Sequence, residues 1–155
     1  MTDSWTVTAI ARVRSTRREI VDDGWDAETV TIELLPPFNA DAVASIDDFS
    51  HLDVIYLFDR VDPAKVHTGA RRPRGNPDWP EVGVFAQRVK DRPNRLGLST
   101  VELLGVDGTV LRVRGLDAVD GTPVIDIKPH MEEFGPRTPV REPAWARELM
   151  SGYWD

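Results

Sequence analysis

Cysteine is absent from the 155 residues. Disulfides, thiol nucleophiles and cysteine-bound metals are therefore excluded. Long apolar runs are absent too, since none approaches the roughly 20 residues that cross a bilayer as a helix. The opening stretch MTDSWTVTAIARVRS has no apolar segment of the signal-peptide kind. The glycines form neither G-x-G-x-x-G nor a P-loop, and no serine sits in G-x-S-x-G, so dinucleotide, phosphate-cradle and hydrolase-elbow signals are all missing. The three histidines, His51, His67 and His130, lack the close spacing of a metal site, and no metal is expected. Strand and helix patterns do not alternate, which argues against a doubly wound nucleotide fold. A cytoplasmic protein without a membrane segment is the expectation. Positive charge is in deficit: 19 Lys and Arg stand against 26 Asp and Glu, for a formal charge of −7. That balance disfavours non-specific binding to nucleic acid, which depends on phosphate neutralisation.

What basic charge there is gathers in one segment. Residues 71–95 hold Arg71, Arg72, Arg74, Arg88, Lys90, Arg92 and Arg95, with only Asp78, Glu81 and Asp91 opposing them. An acidic chain with such a segment can still bind an anionic ligand locally. The chain is organised around residues 82–99, VGVFAQRVKDRPNRLGLS. Residues 82–86 alternate as a strand. Residues 88–95 form a charged loop that Pro93 keeps from being helical, and apolar sequence then resumes. A strand that delivers cations and an Asn into a loop is either a solvated basic loop between two strands or a polar ligand site presented on a rigid scaffold.

The rest of the chain reads mainly as β-structure. Residues 7–14 and 29–35 alternate as half-buried strands, separated by a polar stretch over 15–26 with a turn at Asp22-Asp23-Gly24. Residues 39–48 read as a short helix. Residues 52–58 are apolar on both faces and read as a central strand. Residues 59–76 form a long loop. Residues 100–106 and 109–116 flank Asp107-Gly108, which predicts a hairpin with a type I′ turn. Residues 123–127 form a further strand, and residues 143–150 a helix with Trp145 and Leu149 on one side. Six or seven mostly antiparallel strands with short helices predict a small β-barrel. The tryptophans fall outside the strongest strands, as an oligomer contact or a pocket wall would place them.

Ten residues carry the most chemistry. They run Asp120-Gly121-Thr122-Pro123-Val124-Ile125-Asp126-Ile127-Lys128-Pro129. Strand alternation puts Asp126 and Lys128 on one face, as a surface ion pair or as a polar grip for an amino-acid-like ligand. With Ile10-Ala11-Arg12-Val13-Arg14-Ser15, Glu33-Leu34-Leu35-Pro36-Pro37, Phe49-Ser50-His51-Leu52, Arg72-Pro73-Arg74, Gly83-Val84-Phe85-Ala86, and Arg92-Pro93-Asn94 followed by Gly97-Leu98-Ser99, this segment resembles the TsaA-like family, and the pieces occur in family order. The resemblance covers roughly residues 8–130.

The resemblance implies a small β-barrel over residues 1–135 that binds S-adenosylmethionine without a Rossmann fold, followed by an extended segment and short helix over residues 136–155. It implies a homodimer with the cofactor near the subunit interface, and methyl transfer to a threonylcarbamoyl-adenosine of tRNA. By motif position, Ser50, His51, Phe85, Gln87, Arg88, Leu98, Asp117 and Ala118 are the implied cofactor contacts, with Asp22 and Asp23 in a loop that also approaches it. Arg92, Asn94 and Lys128 are the implied substrate contacts, and His51 or Asp126 the implied base. The chain reads Gln87-Arg88-Val89-Lys90 and Arg95-Leu96-Gly97 where the tRNA enzymes usually read Thr-Arg-Ser-Pro and Pro-Ile-Gly, and His130 where they read Tyr. A metabolite acceptor and a non-catalytic cofactor-binding module therefore stand beside the tRNA reading.

Overall fold

The computed structural model describes residues 2–19, 21–25 and 29–155. The expected polar stretch over residues 15–26 thus has Ile20 and Asp26 outside the described residues.

Six strands close into an antiparallel barrel in the order β1-β2-β7-β6-β3-β8. They are β1 (Ala11–Arg14), β2 (Thr29–Leu34), β3 (His51–Leu57), β6 (Leu96–Asp107), β7 (Val110–Arg114) and β8 (Pro123–Pro129). Closure leaves no unpaired sheet edge, which is how a small all-β domain avoids edge-to-edge association. β8 returns to β1, with Ala11 opposite Val124. A two-stranded ribbon, β4 (Ala70–Arg71) with β5 (Val82–Gly83), lies outside the barrel.

Period-two alternation sets the core. Leu52, Val54 and Tyr56 of β3 point inward beside Val13, Val30, Ile32, Val101, Leu111, Val113 and Val124, all buried. Each large apolar side chain so buried contributes about 1.5–3 kcal/mol relative to its exposed state. β6 is the long element. It pairs with β3 from Leu96 to Glu102 and with β7 from Glu102 to Asp107, and its register shifts between Leu103 and Gly105. This irregularity lets one strand serve two neighbours and turn the corner of the barrel.

Several local expectations give way to partner geometry. Residues 82–86 do not form one strand. Only Val82 and Gly83 find a partner in β4, and Val84–Ala86 then turn as a 3-10 helix. The first strand is confined to Ala11–Arg14, and residues 39–48 form two 3-10 turns, Ala40–Val43 and Ile46–Asp48. The hairpin between β6 and β7 stands where expected, but Asp107 pairs with Val110 and the two loop residues are Gly108-Thr109. Gly108 alone has positive φ, +60°, so the turn matches type II′ rather than type I′. The C-terminal helix α1 (Ala144–Met150) forms as expected.

Candidate functional site

A cavity of about 1830 Å³ opens at the barrel end where β3 finishes and β6 begins. The barrel supplies one wall, with Tyr56, Phe58 and the run 97–100. The β7–β8 connection supplies Asp117, Ala118 and Val119. The ribbon and the following loop supply the basic wall, from Arg71 to Arg74 and from Phe85 to Asn94. The C-terminal segment closes the side with Trp145, Leu149, Tyr153 and Trp154, and Trp25 joins it. The volume exceeds the roughly 300–1,000 Å³ usual for one small ligand, so there is room for two.

The floor is a carboxylate ringed by hydroxyls. The Tyr56 phenol donates to Asp117 Oδ1 at 2.5 Å, the Ser99 hydroxyl donates to the same oxygen, and the Tyr153 phenol donates to Oδ2 at 2.5 Å. Tyr56 Oη and Ser99 Oγ are 3.1 Å apart. Strand alternation turns Tyr56 inward with Leu52 and Val54, and an inward phenol must find an acceptor.

Burial, and then the negative charge of Asp117, raise both phenols well above the ordinary value; Arg88 and Arg74 oppose the shift at Tyr153. Both phenols are therefore protonated donors. A raised native pKa contributes stability that is complete below the unfolded value of about 10 and lost as pH climbs through the native value. The expected result is that neither tyrosine ionises near pH 10 in the folded protein. Tyr56 and Tyr153 are the two tyrosines in the chain, so absorbance at 295 nm followed beside circular dichroism tests this. Phenolate should appear together with alkaline unfolding. Half the signal titrating near pH 10 in folded protein would release one phenol from this account.

The basic wall is pinned to itself. Arg88 donates to the Leu98 carbonyl at 2.6 Å, Arg92 to that of Gln87 at 2.6 Å, and Arg95 to that of Val61 at 2.8 Å. Arg72 donates to the Pro77 and Trp79 carbonyls, Arg71 pairs with Asp91, and Arg74 pairs with Asp23 at 3.0 Å. Lys90 has no partner among the described residues. The Gln87 amide donates to the carbonyls of Arg71 and Val82, and its Oε1 is buried without a partner. Asn94 and Arg95 both hold left-handed backbone, at φ +65° and +50°, a conformation that costs about 1 kcal/mol or more per non-glycine residue.

Of the residues singled out in the sequence, the cavity brings together Phe85, Gln87, Arg88, Leu98, Asp117 and Ala118, with Arg92, Asn94 and Asp22 on the same lining. Five others stand apart. Asp23 is off the lining and paired with Arg74 at 3.0 Å. Ser50 and His51 share a hydrogen bond of 2.7 Å at the exposed start of β3. Asp126 and Lys128 form an exposed ion pair at 3.1 Å, the surface alternative of the two weighed above. His130 bonds Asp53 at 3.1 Å, and Asp53 also accepts from Thr100 at 2.6 Å. Among the described residues no group of three or more His, Asp or Glu can hold a metal, and no helix is long and apolar enough to cross a membrane. Sequence reasoning missed Tyr56, Ser99 and Tyr153. The one available signal was a phenol at an inward strand position; nothing in the sequence ties Tyr153 to Asp117.

The family profile described as tRNA-methyltransferase O N-terminal domain matches residues 17–135. A "Probable S-adenosyl-L-methionine-binding protein" of Archaeoglobus fulgidus is 47% identical over 103 residues, covering 66% of this chain and 26% of its own length. The "tRNA (adenine(37)-N6)-methyltransferase" of Escherichia coli is 42% identical over 107 residues, covering 64% of this chain and 44% of its own. The chain thus spans about a quarter to under half of these two relatives. The crystal structure of TrmO from Pseudomonas aeruginosa superposes with a TM-score of 0.72 at 33% identity, over 91% of this chain and 61% of that one.

Proposed function

The chain belongs to the tRNA-methyltransferase O family, and on that premise we propose that it is an S-adenosylmethionine-dependent methyltransferase whose cofactor lies in the cavity beside Asp117. The observation that carries the reading is the lining of that cavity, where Phe85, Gln87, Arg88, Leu98, Asp117 and Ala118 converge from three separate segments. The donor set fits the cofactor. Asp117 is an acceptor for a ribose hydroxyl or an ammonium group. Leu98, Ala118 and Phe58 give an apolar flank for a flat heterocycle. Arg88, with further N–H groups beyond the one spent on Leu98, suits a carboxylate. The bound cofactor supplies a methyl group already activated on a sulfonium. The chain's own task is then mainly positioning, by a carboxylate fixed from below and a loop fixed by its arginines.

The acceptor in this reading is a modified adenosine of tRNA, threonylcarbamoyl-adenosine, in keeping with the printed name of the Escherichia coli relative. Arg92 and Asn94 on the cavity lining face it, with Lys90, unpaired among the described residues, just before them in sequence. Residues 1–135 serve as the cofactor-binding barrel and residues 136–155 as an appended strap. The protein acts in the cytoplasm as a homodimer. Phe85 at 77% exposure and Leu98 at 49% lie at the cavity rim, an apolar edge that a second copy would cover. A metabolite acceptor is the second reading. It is favoured because residues 71–95 fold over the cavity and most of their guanidinium groups are spent on carbonyls or carboxylates of the chain itself.

Calorimetric titration of S-adenosylmethionine, with sedimentation to count subunits, tests the reading. Binding at one cofactor per chain in the micromolar range, worth about 8 kcal/mol, is the expected result; no binding at millimolar cofactor overturns it. Methyl transfer to tRNA carrying the modified adenosine, and not to tRNA lacking it, separates the first acceptor from the second. Arg88→Ala should weaken cofactor binding roughly tenfold, as loss of a charged hydrogen bond does. Unfolding should stay within about 0.5 kcal/mol of wild type, because a loop cation holds no core. Unchanged affinity in that variant would remove Arg88 from the site.

A further inference from the structure

The last residues of the chain come back to the cavity floor, and Tyr153 is what fastens them there. Its carbonyl accepts from the amides of Gly24 at 2.8 Å and Trp25 at 3.1 Å, and its phenol donates to Asp117 Oδ2. The fit is close: a side chain at Gly24, which sits at φ +80°, would place its Cβ 3.2 Å from the Asp155 carbonyl oxygen. Trp79 Nε1 donates to Glu148 Oε2 at 2.8 Å and secures α1 from the other side. Tyr153 is not a core residue. It lies outside the buried apolar cluster of the barrel, and its ring stacks edge-on against Trp154 at 4.9 Å.

Counting acceptors shows what the phenol does. A carboxylate offers about four lone-pair positions, two on each oxygen. Tyr56 and Ser99 take both on Oδ1 of Asp117, and Tyr153 takes one on Oδ2. One position is left, on the oxygen that Tyr153 holds. Without that phenol the carboxylate is fixed at one oxygen only, and a ligand would have to order the other on arrival.

We propose that Tyr153 is a positioning residue of the cofactor site, fixing Asp117 so that its single open acceptor position is presented to one N–H or O–H donor of the ligand. The inference rests on the cofactor reading above. It makes the strap over residues 136–155 part of the binding site rather than an appendage, since the residue that orients Asp117 belongs to it. Preorganisation of this kind adds affinity by removing an ordering cost, without a new contact to the ligand.

A double-mutant cycle tests it, with S-adenosylmethionine as the probe. The full-length protein and the variants Tyr153→Phe, Asp117→Asn and the double variant are titrated by calorimetry, or by ligand-observed NMR where affinity is weak. Phe keeps the ring and its packing, and thermal unfolding of each variant verifies the fold. Tyr153→Phe should weaken binding roughly five- to tenfold in the wild-type background and less than about twofold in the Asp117→Asn background, the non-additivity of a residue that acts through another. Wild-type affinity in Tyr153→Phe overturns the inference. So does an equal loss in both backgrounds, which would mean that the phenol touches the ligand or acts through the fold at large. If the wild-type protein itself fails to bind, the cofactor reading falls and takes this inference with it; binding by wild type with no effect of Tyr153→Phe removes the inference alone.

Discussion

Asp117→Ala is expected to lower the free energy of unfolding by about 2–3 kcal/mol and to weaken cofactor binding at least roughly 100-fold, the sizes that go with losing hydrogen bonds to a charged group. Three hydroxyls converge on this carboxylate from β3, from β6 and from the C-terminal strap. Tyr56 suffers most. Tyr56 is 1% exposed, and with the carboxylate gone its phenol keeps only Ser99 Oγ at 3.1 Å and the long contact to the backbone carbonyl of residue 117 at 3.5 Å. Tyr153 loses its hold on the floor, and the strap remains attached through Gly24, Trp25 and Trp79. The stability cost therefore falls on the end of the barrel, while the binding cost falls on the cavity. Denaturant unfolding and calorimetry measure the two separately. A variant with wild-type stability would mean that the hydroxyls are satisfied elsewhere. One with wild-type affinity would mean that the cofactor does not use this carboxylate.

The barrel was legible because its strands are half-buried and alternate, so one physical cause, burial of one face, leaves its mark at every second position. Val30 and Ile32 of β2 are the plainest case. Where alternation exists without a partner, the reading failed. Residues 82–86 have the composition of a strand, but β4 offers them only Ala70 and Arg71. The amide of Val84 bonds the Gly69 carbonyl, and the chain then turns. Pairing decides a strand, and pairing is not a local property. The same holds for the hairpin, where Asp107-Gly108 marked the place but cross-strand register moved the turn by one residue.

The candidate site was legible in a different way. Asp117, Arg88 and Leu98 were singled out by resemblance, and no periodicity points to them. What the resemblance left out is the support beneath Asp117. Tyr56 lies 61 residues from it, Ser99 18 and Tyr153 36, and such hydrogen bonds leave no pattern in sequence. His51 and Asp126 illustrate the converse. Each has the chemistry of a base, yet His51 bonds its neighbour Ser50 at the surface and Asp126 pairs with Lys128. A residue type suited to a role gives no information about which side of the barrel it occupies unless the strand register is known.

Gly97→Ala adds one methyl group and is expected to destabilise the protein by about 3 kcal/mol, the upper end of ordinary overpacking. Gly97 stands directly opposite Tyr56 in the β3–β6 ladder. A Cβ there would lie 2.4 Å from Tyr56 Cε2, 2.5 Å from Tyr56 Cζ and 3.0 Å from Phe58 Cζ. None of these atoms can give way cheaply. The Tyr56 ring is enclosed by the core, its hydroxyl is held by Asp117 and Ser99, and its edge meets Phe58 with centroids 5.4 Å apart at 78°. A ring forced aside takes its phenol away from Asp117, so the variant should lose cofactor affinity as well as stability, although the added methyl brings no polar group to the ligand. Gly83→Ala is the matched control. Gly83 has ordinary backbone at φ −63° and nothing within 4 Å of an added Cβ, so the same methyl should change stability by no more than about 0.5 kcal/mol. Thermal and denaturant unfolding of the two variants, with a cofactor titration of each, tests the argument. If Gly97→Ala unfolds like Gly83→Ala, the Tyr56 ring is free to move, and Asp117 cannot then owe its position to it.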